Sequence, residues 1–201
     1  MDVNPLDTVD ASKDTQAADR RTARLNMLVA ATVAILATFM GICKVKDDNI
    51  VQAMQQAQAN KLDHWAFYQA RNIREEVAKS TIVQLQLAAI GRAPSEQAAY
   101  RDAIQNYERL ATEQKIKKEE LRVQADQDQK DYDAANFRDD QFDLSDALLA
   151  IAISLLAVTA LTGQRWLYFA ALVPTGGGIF MGLCGLLGWG FHPDALVKLL
   201  S

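Results

Sequence analysis

Hydrophobic and polar positions divide the chain into blocks of very unequal length. Three apolar stretches, Leu25 to Cys43, Ala147 to Leu161 and Trp166 to Gly190, are separated by about 100 polar residues and then by four. Each is free of charge, and their lengths bracket the roughly 20 residues that cross a hydrocarbon core of about 30 Å. The first is longer than a signal-peptide core and has no small-x-small cleavage site close behind it. Gly41-Ile42 before Cys43 also lacks the small residue that a lipoprotein signal places next to its cysteine. The pattern predicts an all-α membrane protein with transmembrane helices over 25–43, 144–162 and 166–190. A flexible tail is expected over 1–24, an extramembrane insert over 44–143 and a short tail over 191–201.

The insert has its own punctuation. No proline or glycine occurs from Asp48 to Ile90, nor from Glu96 to Arg138, and both stretches are rich in helix formers. Between them Gly91 can stop a helix, Pro94 forbids its simple continuation and Ser95 can cap the next. The expectation is an antiparallel, coiled-coil-like hairpin of two helices of about 40 residues each, on the order of 60 Å long, with its turn near 91–95. A three-four spacing along the first helix selects Ala59, Leu62, Ala66, Ala70, Ile73, Val77, Ser80, Gln84 and Leu87. Along the second it selects Tyr100, Ile104, Tyr107, Ala111, Gln114, Lys118, Leu121, Ala125, Asp128, Tyr132 and Ala135. Gln114, Lys118 and Asp128 make that seam too polar for a lone hairpin, so burial against another copy or another protein is expected to complete it.

Charge narrows the function classes. The chain carries a formal net charge of -4 with a pI near 5.2, so no basic field favours nucleic acid. Lys13, Arg20, Arg21 and Arg24 precede the first apolar stretch and Arg165 lies between the second and third, which favours a cytoplasmic N-terminus and an external hairpin. Trp166 and Tyr168 at one end of the third stretch, with Trp189 and Phe191 at the other, fit interfacial anchors.

Candidate chemistry is sparse. Cys43 and Cys184 fall at similar helical depth, which leaves either a disulfide or two buried free thiols. Pro174 in the third stretch predicts a kink. Ala170, Pro174, Gly178 and Gly182 recur every four residues, a spacing that suits a packed interface within the protomer, contact between subunits or an unwound path. The run His64-Trp65-Ala66-Phe67-Tyr68 places more rings than one seam can bury, so Trp65, Phe67 and Tyr68 are candidates for a protein interface or for hairpin core, and His64 for a ligand. His192 is the only other histidine, which excludes a His-rich metal site. Asp126, Asp128, Asp131 and Asp133 lack the turn glycine and terminal glutamate of a calcium loop and fit a solvated face.

A second acidic run, Asp139, Asp140, Asp143 and Asp146, admits two readings. Asp143 can cap the second membrane helix with Asp146 complementing its dipole, or, if copies close into a ring, the four can form a cation-concentrating collar. No nucleophile–base pair, phosphate loop or metal set is visible, so neither an enzyme nor a cofactor is expected.

Two longer stretches carry a resemblance. Val45-Lys46-Asp47-Asp48-Asn49-Ile50-Val51-Gln52-Ala53-Met54-Gln55-Gln56-Ala57-Gln58-Ala59-Asn60, followed by Trp65, Tyr68 and Gln69, is one. Tyr132-Asp133-Ala134-Ala135-Asn136-Phe137-Arg138-Asp139-Asp140-Gln141-Phe142-Asp143 is the other. Together they resemble an uncharacterised bacterial membrane-protein family, a domain of unknown function numbered four-three-three-seven, over nearly everything after the first 20 or so residues. The resemblance implies a bacterial inner-membrane location and carries no activity, cofactor or catalytic residue. The expected function is that of a structural or accessory protein that meets the lipid bilayer and whose hairpin mediates homo-oligomerisation or docking to a larger membrane complex. A cation channel or transporter is the alternative.

Overall fold

The computed structural model describes residues 5–191 and 193, with side chains from Asp19 onward. Residues 1–4 and nearly all of the expected tail 191–201 lie outside the described residues. Three helices make up the described chain: α1, Pro5–Ala89; α2, Pro94–Thr162; and α3, Arg165–Leu187. Each contains a window long and apolar enough to cross a membrane by length and composition.

The helix boundaries follow from where breakers are present and absent. The segment expected as a flexible tail is helical from Pro5, which sits in the first turn, where its missing N–H is no loss. At the other end of α1, Gly91 adopts φ 77, a left-handed conformation that a side chain would strain. Pro94 is itself the first residue of α2, and Ala93 O accepts the N–H groups of Glu96 and Gln97 at 3.0 Å each. Ser95 is therefore inside the helix and does not cap it, because proline is pre-set for the first helical position. Nor does Asp143 cap a separate membrane helix, since α2 passes through it unbroken. No glycine or proline lies between Ser95 and Thr162 to end the backbone ladder, so the change from polar to apolar composition leaves no mark on the backbone. The third helix is continuous through Pro174 and stops at Leu187, short of Gly190, where Gly188 at φ 70 turns the chain and Trp189 N–H reaches Cys184 O at 2.9 Å.

The chain divides into two compact units, one of Met1–Val51 with Asn136–Ser201 and one of Gln52–Ala135. In the first, Val29 and Leu36 of α1, Leu149, Ala152 and Leu156 of α2 and Ala171 of α3 form one buried cluster. Glycines set how closely α3 approaches. A Cβ at Gly178 would stand 2.8 Å from the Leu149 side chain, one at Gly182 2.7 Å from the Phe39 ring, and one at Gly185 2.7 Å from the Phe142 ring. Ser145 Oγ donates to Gly178 O at 2.8 Å across the same contact. Gly178 and Gly182, candidates for an interface, are thus covered by side chains of their own chain. Cys43 and Cys184 are both buried and both free thiols.

The second unit pairs part of α1 with part of α2. Lys61 contacts Gln129, His64 Nδ1 lies 2.6 Å from Asp128 Oδ2, Arg71 donates to Gln114 Oε1 at 2.9 Å, and Lys118 Nζ reaches Glu75 Oε2 at 2.7 Å. Partner numbers fall on α2 as they rise on α1. On α2 the buried and half-buried positions include every member of the expected row, with Ala111, Gln114 and Ala125 fully buried. On α1 the expected row is the wrong one: Ala59 through Leu87 are all exposed. The inward row is instead Ala57, Lys61, His64, Tyr68, Arg71, Glu75, Ala78, Ile82 and Leu85, again at three-four spacing. Two residues of offset rotate a helix face by about 200°, which turns the apolar row almost fully away from the contact.

Candidate functional site

The inward row of α1 continues through the first unit as Leu36, Cys43, Asp47 and Ile50, all buried. It thereby carries a carboxylate onto a helix face whose neighbouring buried members are Cys43 and Ile50. Asp47 is only 3% exposed. Its Oδ2 accepts from Lys44 Nζ at 2.7 Å, one helical turn back, while the same ammonium lies 3.6 Å from Asp48. Asp47 Oδ1 is buried with no hydrogen-bond partner, and so is Asp146 Oδ1.

Opposite it, α2 contributes Asp139, Asp143 and Asp146, which at spacings of four and three share one helical face. Between them Phe142, Gln141 and Ser145 are buried. Gln141 Nε2 donates to Trp189 O at 2.8 Å and Phe191 O at 2.6 Å, which ties the chain beyond α3 to this level of α2. Asn136 Nδ2 reaches Asp140 Oδ2 at 3.4 Å. Partial burial pushes the Asp139 carboxyl up to about 6, reinforced by the facing Asp47 carboxyl and by the charges of Asp143 and Asp140. Burial, followed by the Asp47 charge, also raises Asp143, with Lys44 acting the other way. The Lys44 ammonium is held above the usual range chiefly by its bond to Asp47.

All four acids expected as a collar therefore lie around one place, and Asp47 and Lys44 of α1 join them. These two stand apart from the acidic run in sequence, in the polar segment that follows the first apolar stretch, so the run alone does not select them. The three-four continuation of Leu36 and Cys43 was the signal that could have found Asp47. Among the described residues, no group of three or more His, Cys, Asp or Glu side chains could hold a metal ion. The acids attract positive charge as a field, without a coordinating geometry.

The aromatic run lies in the second unit. Trp65 and Tyr68 meet edge to face with ring centroids 5.2 Å apart, and the Lys118 ammonium lies 5.9 Å from the centre of the Tyr68 ring. Both rings are half-buried, whereas Phe67 is 60% exposed. His64 faces Asp128, so its polar partner comes from within the chain.

An all-helical chain with three helices of membrane-crossing length and apolarity, and with acids gathered where polar and apolar composition meet, is the class these features define. Residues 25–188 match the model of the family described as Domain of unknown function (DUF4337), and the chain belongs to that family. No curated protein and no solved structure matches it.

Proposed function

We propose that the chain is a non-enzymatic structural or accessory protein of the bacterial inner membrane. In this reading three transmembrane helices anchor a helical hairpin through which copies associate or dock with another membrane assembly. The observation that carries it is the outward row of α1. Leu62, Ile73, Val77 and Leu87, flanked by Phe67 and Val83, are all more than half exposed, and Ala66, Ala70 and Ser80 between them leave room for a second helix. Soluble surfaces seldom keep such a regular apolar row unless something covers it. In the other unit Met27, Leu28, Ile35, Ile151, Val158, Phe169 and Val173 point outward, as lipid contact requires. The basic residues that precede the apolar stretch of α1 support a cytoplasmic N-terminus and a periplasmic hairpin.

Intact-assembly mass measurement of the full chain in mild detergent tests this reading. It should report more than one copy, or a companion protein, and Ile73→Asp with Val77→Asp should return the single protomer while the helical content stays unchanged. A wild-type chain that is strictly monomeric, with the amides of residues 52–135 fully protected from hydrogen exchange, removes the reason for a covering partner. Liposome cation flux that responds to neutralising Asp139, Asp140, Asp143 and Asp146 would favour the channel reading instead.

A further inference from the structure

We propose that Asp47 of α1 and Asp139 of α2 form a proton-binding site, in which Asp139 holds the proton and donates it to the buried carboxylate of Asp47. The geometry leaves a buried acceptor on Asp47 that a proton on a facing group would serve. Lys44 satisfies Asp47 Oδ2, and Oδ1 remains buried without a donor. An acceptor left this way destabilises the contact until a donor meets it. The group within hydrogen-bond reach of Asp47 across the contact is the Asp139 carboxyl. Two ionised carboxylates are acceptors only, so they can bond to each other only when one is protonated.

The charges around the pair favour the same state. From α1 come Lys44 and Asp48; from α2 come Asp139, Asp140, Asp143 and Asp146. Arg138 directs its guanidinium toward Gly188, and the segment from Gly185 to Phe191 carries no charge. Among the described residues one cation thus faces several carboxylates, and a proton held by Asp139 removes one negative charge from beside the buried Asp47. Release near pH 6 accords with the raised affinity of Asp139. Once the proton leaves for water, the hydrogen bond is lost and two carboxylates repel across the contact, which loosens α1 from α2 at this level.

Infrared difference spectroscopy of the full chain in nanodiscs, titrated from pH 4 to pH 8, tests the site. The wild type should show a protonated-carboxyl band that disappears with a midpoint of about 6. Asp139→Asn should abolish that band, and Asp47→Asn should weaken proton affinity by about tenfold or more, moving the midpoint down by a pH unit. Far-UV circular dichroism establishes that each variant is folded. Should Asp47→Asn not fold, Asp139→Asn at the less buried partner decides alone. No protonated carboxyl at pH 5 in the wild type overturns the proposal. So does a band that survives Asp139→Asn and vanishes in Asp146→Asn, which would put the proton on the other unpartnered acid.

Discussion

Asp47 and Glu75 occupy the same inward row of α1, and both are almost fully buried, at 3% and 2% exposure. Their surroundings are opposite. Glu75 is gripped by two ammonium groups, Lys79 at 2.6 Å and Lys118 at 2.7 Å, and both hold its carboxyl below the usual range. Asp47 meets one half-exposed lysine and several other acids. A buried charge is tolerable when it is paired, and costly otherwise unless it is neutralised. The second unit follows the first course and is built as a fixed ion-pair contact. In the first unit the compensation comes from solvent protons, which makes that contact conditional.

The largest test of this contrast is Glu75→Ala. It strands the Lys118 ammonium, whose side chain is 13% exposed, and should cost about 3 kcal/mol in chemical denaturation followed by hydrogen exchange over residues 52–135. Asp47→Ala leaves Lys44 free to turn to solvent and removes a like charge, so its cost should be clearly smaller. Equal losses in the two variants would break the comparison.

Neighbouring residues test the facing of α1 next. Ala78 is buried and Val77 exposed, so Ala78→Leu should overpack the contact by about 2 kcal/mol. Val77→Gln should stay within roughly 0.5 kcal/mol of the wild type in the protomer, by the same thermal or denaturant measurement.

The pH dependence should have opposite signs in the two units. Asp139 is raised in the folded chain, so it binds protons more tightly folded than unfolded. Its contribution is complete below the ordinary carboxylate range, about pH 4, and is lost as pH climbs through about 6. Glu75 is lowered, so its contribution is complete above the ordinary range and is lost on acidification through its folded value. Segment-resolved hydrogen exchange between pH 4 and 7, corrected for intrinsic exchange, should show the Asp139 contribution as a loss of on the order of 1 to 2 kcal/mol with rising pH. Asp139→Asn should flatten it. The smallest effect is expected from His64→Ala, where a half-buried pair with Asp128 contributes about 0.5 kcal/mol by the same exchange measurement.

Much of this architecture was legible in the chain. Breaker spacing located the turn near Gly91, and the apolar blocks located three helices of crossing length. On α2 the inward row could be read because Ala111, Leu121 and Ala125 mark it. On α1 the same procedure chose Leu62, Ile73, Val77 and Leu87, because counting apolar residues assumes that apolar groups cover one another. The inward row there is carried by Lys61, His64, Arg71 and Glu75, each facing a specific polar partner on α2. Spacing records period and leaves phase open when both faces of a helix repeat. The acids of α2 were visible as a cluster for the same reason that Asp47 was not: they stand together in sequence, while Asp47 reaches them only across the contact between helices.

The glycine face of α3 behaves like the cut edge of a key. Where Gly178, Gly182 and Gly185 stand, not even a methyl group fits against Leu149, Phe39 and Phe142 without displacement. A helix docked with another azimuth would present Val173, Phe180 or Leu183 to those rings and be refused. Hence α3 has a single rotational setting, and it cannot swivel or slide by one residue while the rings hold their rotamers. Any motion that the loosening of Asp47 from Asp139 permits therefore excludes a rotation of α3 about its own axis.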